Sequence, residues 1–298
     1  MTGRGMAQKS IDLIEHSRRI LVEIQPSTSR GVAYQLFTQG LIENMGDKCV
    51  RNVARLLVVA REAGTIPWAW IVDETRGTEG IMTFGTVADF GERMTRGYRK
   101  DFWQHQTAWI KVVSEKSTVA GVVRPVLRRF AVDFQVMHGY GSATSLYDMA
   151  WQSMEDEARI LEILYIGDFD PSGMHMSAVD LPGRVKKYGG VVKVTRIALT
   201  REDCTESLPS FALETKAKDT RHDWFKRTHG DRCWELDAMS PSVLRARLED
   251  EIIDRIDPEA WEHCQVTEDA ERESYNRYLR AWPGIFDPGE KCPDGGEP

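Results

Sequence analysis

Cysteine is scarce in this chain and its five residues are scattered. Cys49, Cys204, Cys233, Cys264 and Cys292 are spread over 298 residues, with no Cys-X-X-Cys pair. This pattern argues against both a disulfide framework and a zinc site, and the usage fits a reducing cytoplasm. Long hydrophobic runs are missing too. No apolar stretch approaches the roughly 20 residues of a membrane span, and no apolar core follows Met1 to Met6 as it would in a signal peptide. The sequence has no internal repeats. Hydrophobic residues at 41% and charged residues at 29% are ordinary for a globular protein, and the length suits one large domain or two smaller ones.

Positive charge is in short supply overall, with a net charge of -7. The deficit is uneven. Residues 1–130 hold 19 Lys/Arg against 13 Asp/Glu, a balance of +6, whereas the remainder holds 20 against 33, a balance of -13. A basic N-terminal half that faces phosphate is the expectation from this asymmetry.

The most informative segment is Leu164-Tyr165-Ile166-Gly167-Asp168-Phe169-Asp170-Pro171-Ser172-Gly173. Leu164 to Ile166 end a buried strand, and Pro171 and Gly173 mark a turn. Side chains alternate along a strand, so Asp168 and Asp170 are expected to point the same way off its carboxyl edge. Two adjacent carboxylates call for a cation, and hard oxygen donors favour Mg²⁺. The alternative is an acidic turn that caps the next helix. Upstream, Trp109 to Lys116 reads as another apolar strand, ending at Glu115. Helical spacing over Thr118 to Ala131 and an apolar strand at Val132 to Met137 follow. Parallel strands place their carboxyl ends on one edge, so Glu115 is expected to meet Asp168 and Asp170 there.

This pattern resembles the Toprim domain, with its Glu after one strand and its Asp-X-Asp after a later one. The form Asp168-Phe169-Asp170-Pro171-Ser172-Gly173 is most similar to the A subunit of topoisomerase VI and its meiotic break-forming relatives, of a stand-alone bacterial or phage type. The resemblance implies an α/β fold: an N-terminal winged-helix (helix-turn-helix) domain, then a Toprim domain with a Rossmann-like parallel sheet. It implies Mg²⁺, for which Mn²⁺ can substitute, on Glu115, Asp168 and Asp170.

The N-terminal half fits that outline. Residues 8–24 read as an amphipathic helix, and Pro26 to Ser29 offer hydroxyl caps for a short helix through Phe37. A longer helix, Lys48 to Ala63, carries Lys48, Arg51 and Arg55, and Gly64 ends it. These three side chains, with Lys116, are the expected DNA contacts. In the family an Arg precedes the nucleophilic Tyr by four residues on a helix, and Arg30 and Tyr34 match that spacing. Ala60 to Trp68 and Ile71 to Arg76 look like the segment that closes this domain in stand-alone relatives.

A tyrosine hydroxyl, with a pKa of about 10, needs help to attack a phosphodiester. The resemblance implies that Arg30 favours the phenolate, that Glu115 shares the ion or acts as general acid and base, and that a 5′-phosphotyrosyl break results. It also implies a homodimer on double-stranded DNA, in which the Tyr of one protomer works at the metal site of the other. Complete topoisomerase activity would need a separate ATPase B-type subunit. Two alternatives stay open: a hydrolytic Toprim nuclease using the same acids, and a non-catalytic DNA-binding protein.

Beyond the core, Lys193 to Leu199 reads as a further strand. Trp234 to Pro241 contains the Glu-Leu-Asp-Ala run of the stand-alone relatives, with Glu235 as a supporting acid. His138, His175 and the loop Gly139 to Ser142 are lesser candidates. The expected division is 1–104 for the winged helix, 105–257 for Toprim with its extension, and 258–298 for a charged helix and disordered tail. The expected location is the cytoplasm, for a bacterial or phage-encoded and nucleoid-associated protein, with no membrane partner.

Overall fold

The structure, a computed structural model, describes residues 7–71, 82–137, 143–155, 159–206 and 208–281. In chain order its helices and strands are α1 (Gln8–Ile24), α2 (Ser29–Thr38), α3 (Asp47–Glu62), α4 (Val87–Gly97), β1 (Ala108–Ser114), α5 (Ala120–Phe130), β2 (Asp133–Val136) and α6 (Ala143–Glu155). Then come β3 (Ile160–Ile166), α7 (Pro171–His175), α8 (Leu181–Lys187), β4 (Val192–Ala198), β5 (Ser210–Ala212), α9 (His222–His229), β6 (Arg232–Trp234), α10 (Pro241–Ile253) and α11 (Pro258–Ala281). A single π-helical turn, Met176–Asp180, joins α7 to α8.

Two compact units emerge: Met1–Gly77 with Thr107–Arg255, and Thr78–Gln106 with Ile256–Pro298. This grouping differs from the division drawn from the sequence, because the N-terminal helices fall in one unit with the sheet.

In the larger unit α1, α2 and α3 pack around Leu21, Val32, Leu36, Leu57 and Ile66. The burial of Leu13, Ser17, Ile20, Leu21 and Ile24 along α1 follows the 3.6-residue period. Thr28 caps α2 by accepting the Gly31 N–H at 3.1 Å. Asp47 and Arg61 sit at the ends of α3 that their charges favour. Arg245 of α10 donates to the carbonyls of Glu23, Ile24 and Gln25, which closes the C-terminus of α1. These helices are followed by a lone bridge between Ser27 and Ile71. No hairpin wing is present among the described residues, and residues 72–76 of the expected closing segment lie outside them.

The sheet is parallel, with strand order β2-β1-β3-β4. β1 and β3 are its central strands and are buried almost throughout, which is why they read as continuous apolar runs. One face is covered by α6 and α8 through Leu146, Met149, Leu181 and Val185. α10 packs against α5 and β4. A small antiparallel pair, β5 with β6, completes the unit.

The smaller unit is built on α4 and α11. Trp261 meets Phe102 and Trp103 edge-on at 4.7 and 5.6 Å. Gln106 and Asp257 exchange hydrogen bonds, and Lys100 pairs with Glu271 at 2.8 Å. No described helix is long and apolar enough to cross a membrane.

Candidate active site

β1 and β3 end together, Ser114 opposite Ile166, so Glu115 and Gly167 leave the sheet side by side. From β1 the chain crosses to β2 on one flank, and from β3 to β4 on the other. The chain order reverses between them, and such a reversal opens a crevice at the carboxyl ends of parallel strands. Glu115, Asp168 and Asp170 lie there, the two aspartates near enough to act on the charge of Glu115. Glu115 accepts the backbone N–H of Asp168. Gly173 lies so close that a Cβ added to it would stand 2.4 Å from the Asp168 carbonyl oxygen and 3.2 Å from Glu115 Oε1.

Two lysines neutralise the aspartates. Lys116 Nζ reaches Asp168 Oδ1 at 2.8 Å and Asp237 Oδ2 at 3.1 Å. Lys216 Nζ reaches Asp170 Oδ2 at 3.0 Å. Backbone donors take further oxygens: Leu236 N–H on Asp168 Oδ1 at 2.7 Å, and Gly173 N–H on Asp170 Oδ1 at 2.8 Å. Asp170 therefore does cap α7, as the simpler reading of this segment holds, while also lining the crevice.

Burial opposes the charge on Lys116, but Asp168 and Asp237 outweigh it and raise its pKa. Burial also raises the Asp168 carboxyl, against the pull of Lys116 and the Leu236 amide. The two tendencies conflict. The 2.8 Å contact and the amide on the same oxygen favour the ionised pair. Glu115 forms no ion pair among the described residues, and burial together with Asp168 and Asp170 pushes its carboxyl up to about 7.

The loop itself is held from behind. Phe169 forms a two-bond antiparallel bridge with Trp234, and its ring sits among Phe225, His229 and Trp234. Arg196 of β4 donates to the carbonyls of Gly167, Asp168, Ala198 and Leu199 and to the Ser177 hydroxyl. Its guanidinium also lies 5.0 Å above the Tyr165 ring. One partly buried arginine thus ties the ends of β3 and β4 to the turn after α7.

Tyr34, more than 80 residues before these acids, is brought to them within one chain. α2 packs on the turn Leu236–Ala238. Burial, then the charges of Glu235 and Asp237, push the Tyr34 phenol up to about 12, with Lys116 opposing. Tyr34 is 5% exposed, and its hydroxyl makes no hydrogen bond among the described residues. Arg30 is exposed and touches none of the acids through a hydrogen bond or ion pair. Glu235 starts the turn whose next N–H binds Asp168.

Lys48, Arg51 and Arg55 are exposed along α3. Lys116, expected on DNA, is engaged by Asp168 and Asp237 instead. His175 stacks edge-on against Trp224. His138 and Gly139 to Ser142 lie outside the described residues. Sequence reasoning missed Lys216, Arg196 and Asp237. Only Asp237 carried a signal, as the second acid of the Glu235-Leu236-Asp237 run.

Whether these residues suit Mg²⁺ is decided by donor chemistry. No group of three or more His, Cys, Asp or Glu side chains converges as a ready-made metal centre among the described residues. Lys116 and Lys216 stand against the aspartates instead. The donors are nevertheless hard carboxylate oxygens, and the two lysines pair with the aspartates and leave Glu115 without an ion pair among the described residues. That set fits a divalent cation once a lysine gives way. No protein-family model, curated protein or solved structure matches this chain.

Proposed function

We propose that the chain cleaves DNA phosphodiester bonds at the crevice between β1 and β3 with the help of Mg²⁺. The reading rests on Glu115, Asp168 and Asp170 following two adjacent strand ends at the point where chain order reverses, with both aspartates helping to push Glu115 up to about 7. Glu115, Asp168 and Asp170 would hold the cation, which when bound neutralises phosphate charge and lowers the pKa of an attacking water. A carboxyl that titrates near neutrality also suits Glu115 to exchange a proton with the attacking or leaving oxygen.

Hydrolysis is the branch better supported by the geometry, because Tyr34 is buried and its phenol is pushed up to about 12. The transesterase reading keeps one specific support: α2 carries Tyr34 to the same acid and lysine cluster. That reading carries with it the homodimer and the ATPase B-type subunit, and hydrolysis requires neither.

The deciding experiment is a denaturant-trapped cleavage assay on end-labelled duplex DNA with Mg²⁺ or Mn²⁺. Free ends that persist in Tyr34→Phe and vanish in Asp168→Ala identify a hydrolase. Protein attached to 5′ ends, lost in Tyr34→Phe, identifies the transesterase. If the Asp168→Ala, Asp170→Ala double variant keeps full cellular activity and DNA binding, the protein is a non-catalytic binder.

The basic, exposed face of α3 is the proposed DNA contact. Replacing Lys48, Arg51 and Arg55 together by Gln is expected to lower the slope of log K against log salt by about 3, since each neutralised phosphate contributes about 0.9. Fluorescence anisotropy across a salt series measures it. An unchanged slope would move the contact elsewhere.

A further inference from the structure

The two lysines at the acid pair are held differently. Lys116 bridges Asp168 and Asp237, and its side chain is only 22% exposed. Lys216 follows β5 in the short turn Leu213–Lys216, pairs with Asp170 alone among the described residues and is 42% exposed. Beyond that contact its ammonium lies 5.8 Å from the centre of the Phe211 ring. Asp170 Oδ1 is committed to the Gly173 amide, so Oδ2 is the oxygen left for a cation, and Lys216 occupies it.

We infer that Lys216 is a tethered counter-cation that competes with a divalent ion for Asp170. The inference deepens the reading that Glu115, Asp168 and Asp170 hold such an ion. The pair is open on its lysine side only, 42% against 6% for Asp170, so water and salt screen the ammonium and a long side chain must be ordered to hold it there. A lysine ammonium carries one charge on a flexible stem and leaves readily. Tethering gives it a high effective concentration at Asp170, so it sets a threshold that a free cation must exceed. Lys116, fixed by two carboxylates in a more enclosed place, remains as the permanent counter-charge of Asp168. The cation would therefore enter from the Asp170 side, beside the unpaired Glu115.

Mn²⁺ alone serves as the probe, with binding to the full chain followed by electron paramagnetic resonance of the free ion. Lys216→Met keeps the apolar stem beside Phe211 and removes the charge, and is expected to bind Mn²⁺ about tenfold more tightly than the wild type. Lys216→Arg keeps the charge and is expected to bind like the wild type, and Asp170→Asn is expected to lose binding. If the wild type binds, Asp170→Asn does not, and Lys216→Met binds no more tightly than the wild type, the competition is refuted while the cation reading stands. If neither the wild type nor Lys216→Met binds Mn²⁺, both fall. Mn²⁺ binding that appears only in Lys216→Met would support the competition in its strongest form. Circular dichroism of each variant confirms that the fold is retained.

Discussion

Gly173→Ala is expected to destabilise the larger unit by about 3 kcal/mol and to disorganise the acid crevice, the cost usual for overfilling a packed site. The cause is close approach. A Cβ at this position would lie 2.4 Å from the carbonyl oxygen of Asp168, a backbone atom that cannot swing aside. The same Cβ would press on Glu115 Oε1 at 3.2 Å. To relieve both contacts, α7 must move away from the strand ends, and the Gly173 amide that holds Asp170 Oδ1 moves with it. Urea unfolding of Gly173→Ala and wild type gives the stability difference. Mn²⁺ binding by the same pair shows whether the crevice is lost. Equal midpoints would mean that α7 shifts freely and that the tight approach has no structural weight.

Most of the sheet was legible because each strand carries its own signal. β1 and β3 are apolar at nearly every position, and the acid after each marks its carboxyl end. β4 and α1 fall within a residue of their expected bounds, since continuous apolar runs and a 3.6-residue period need no tertiary information. Gly173 was legible only as a turn residue. Its approach to Asp168 is a tertiary fact with no local sign.

The site's counter-charges were illegible for a different reason. Lys216 pairs with Asp170 across 46 positions, and Arg196 reaches four carbonyls that any sequence could supply. An ion pair leaves no periodicity, so no window of the chain reports it. The grouping of residues 78–106 with 256–298 is hidden likewise, because aromatic contacts such as Phe102 with Trp261 join segments far apart in sequence. Tyr34 shows the same limit. Its four-residue spacing from Arg30 suggested a shared face, yet packing of α2 buries the one and exposes the other.

In chelator-treated protein, Glu115→Gln is expected to raise stability by about 3 kcal/mol at pH 8 and to change it little at pH 4.5. Burial, with Asp168 and Asp170 close by, lifts the Glu115 carboxyl from 4.5 to about 7 in the folded chain. Each tenfold change in proton affinity between folded and unfolded states is worth about 1.4 kcal/mol. Between pH 4.5 and 7 the folded state holds the proton that the unfolded state has released, so stability falls as pH rises through this window. Above it, the folded chain must carry a buried carboxylate, and Gln removes that cost at nearly constant shape. Other groups titrate nearby. His229, held neutral by burial, works in the opposite sense as pH falls below its ordinary value. Asp203, held low by Arg247 and backbone donors despite its burial, acts only at more acid pH. The informative quantity is therefore the difference between variant and wild type at each pH, in which such groups cancel. Adding Mg²⁺ at pH 8 is expected to close the gap by stabilising the wild type alone, because a bound cation raises the stability of the state that binds it. A difference that stays constant from pH 4.5 to 8 would show that Glu115 is not the strained carboxylate of the site.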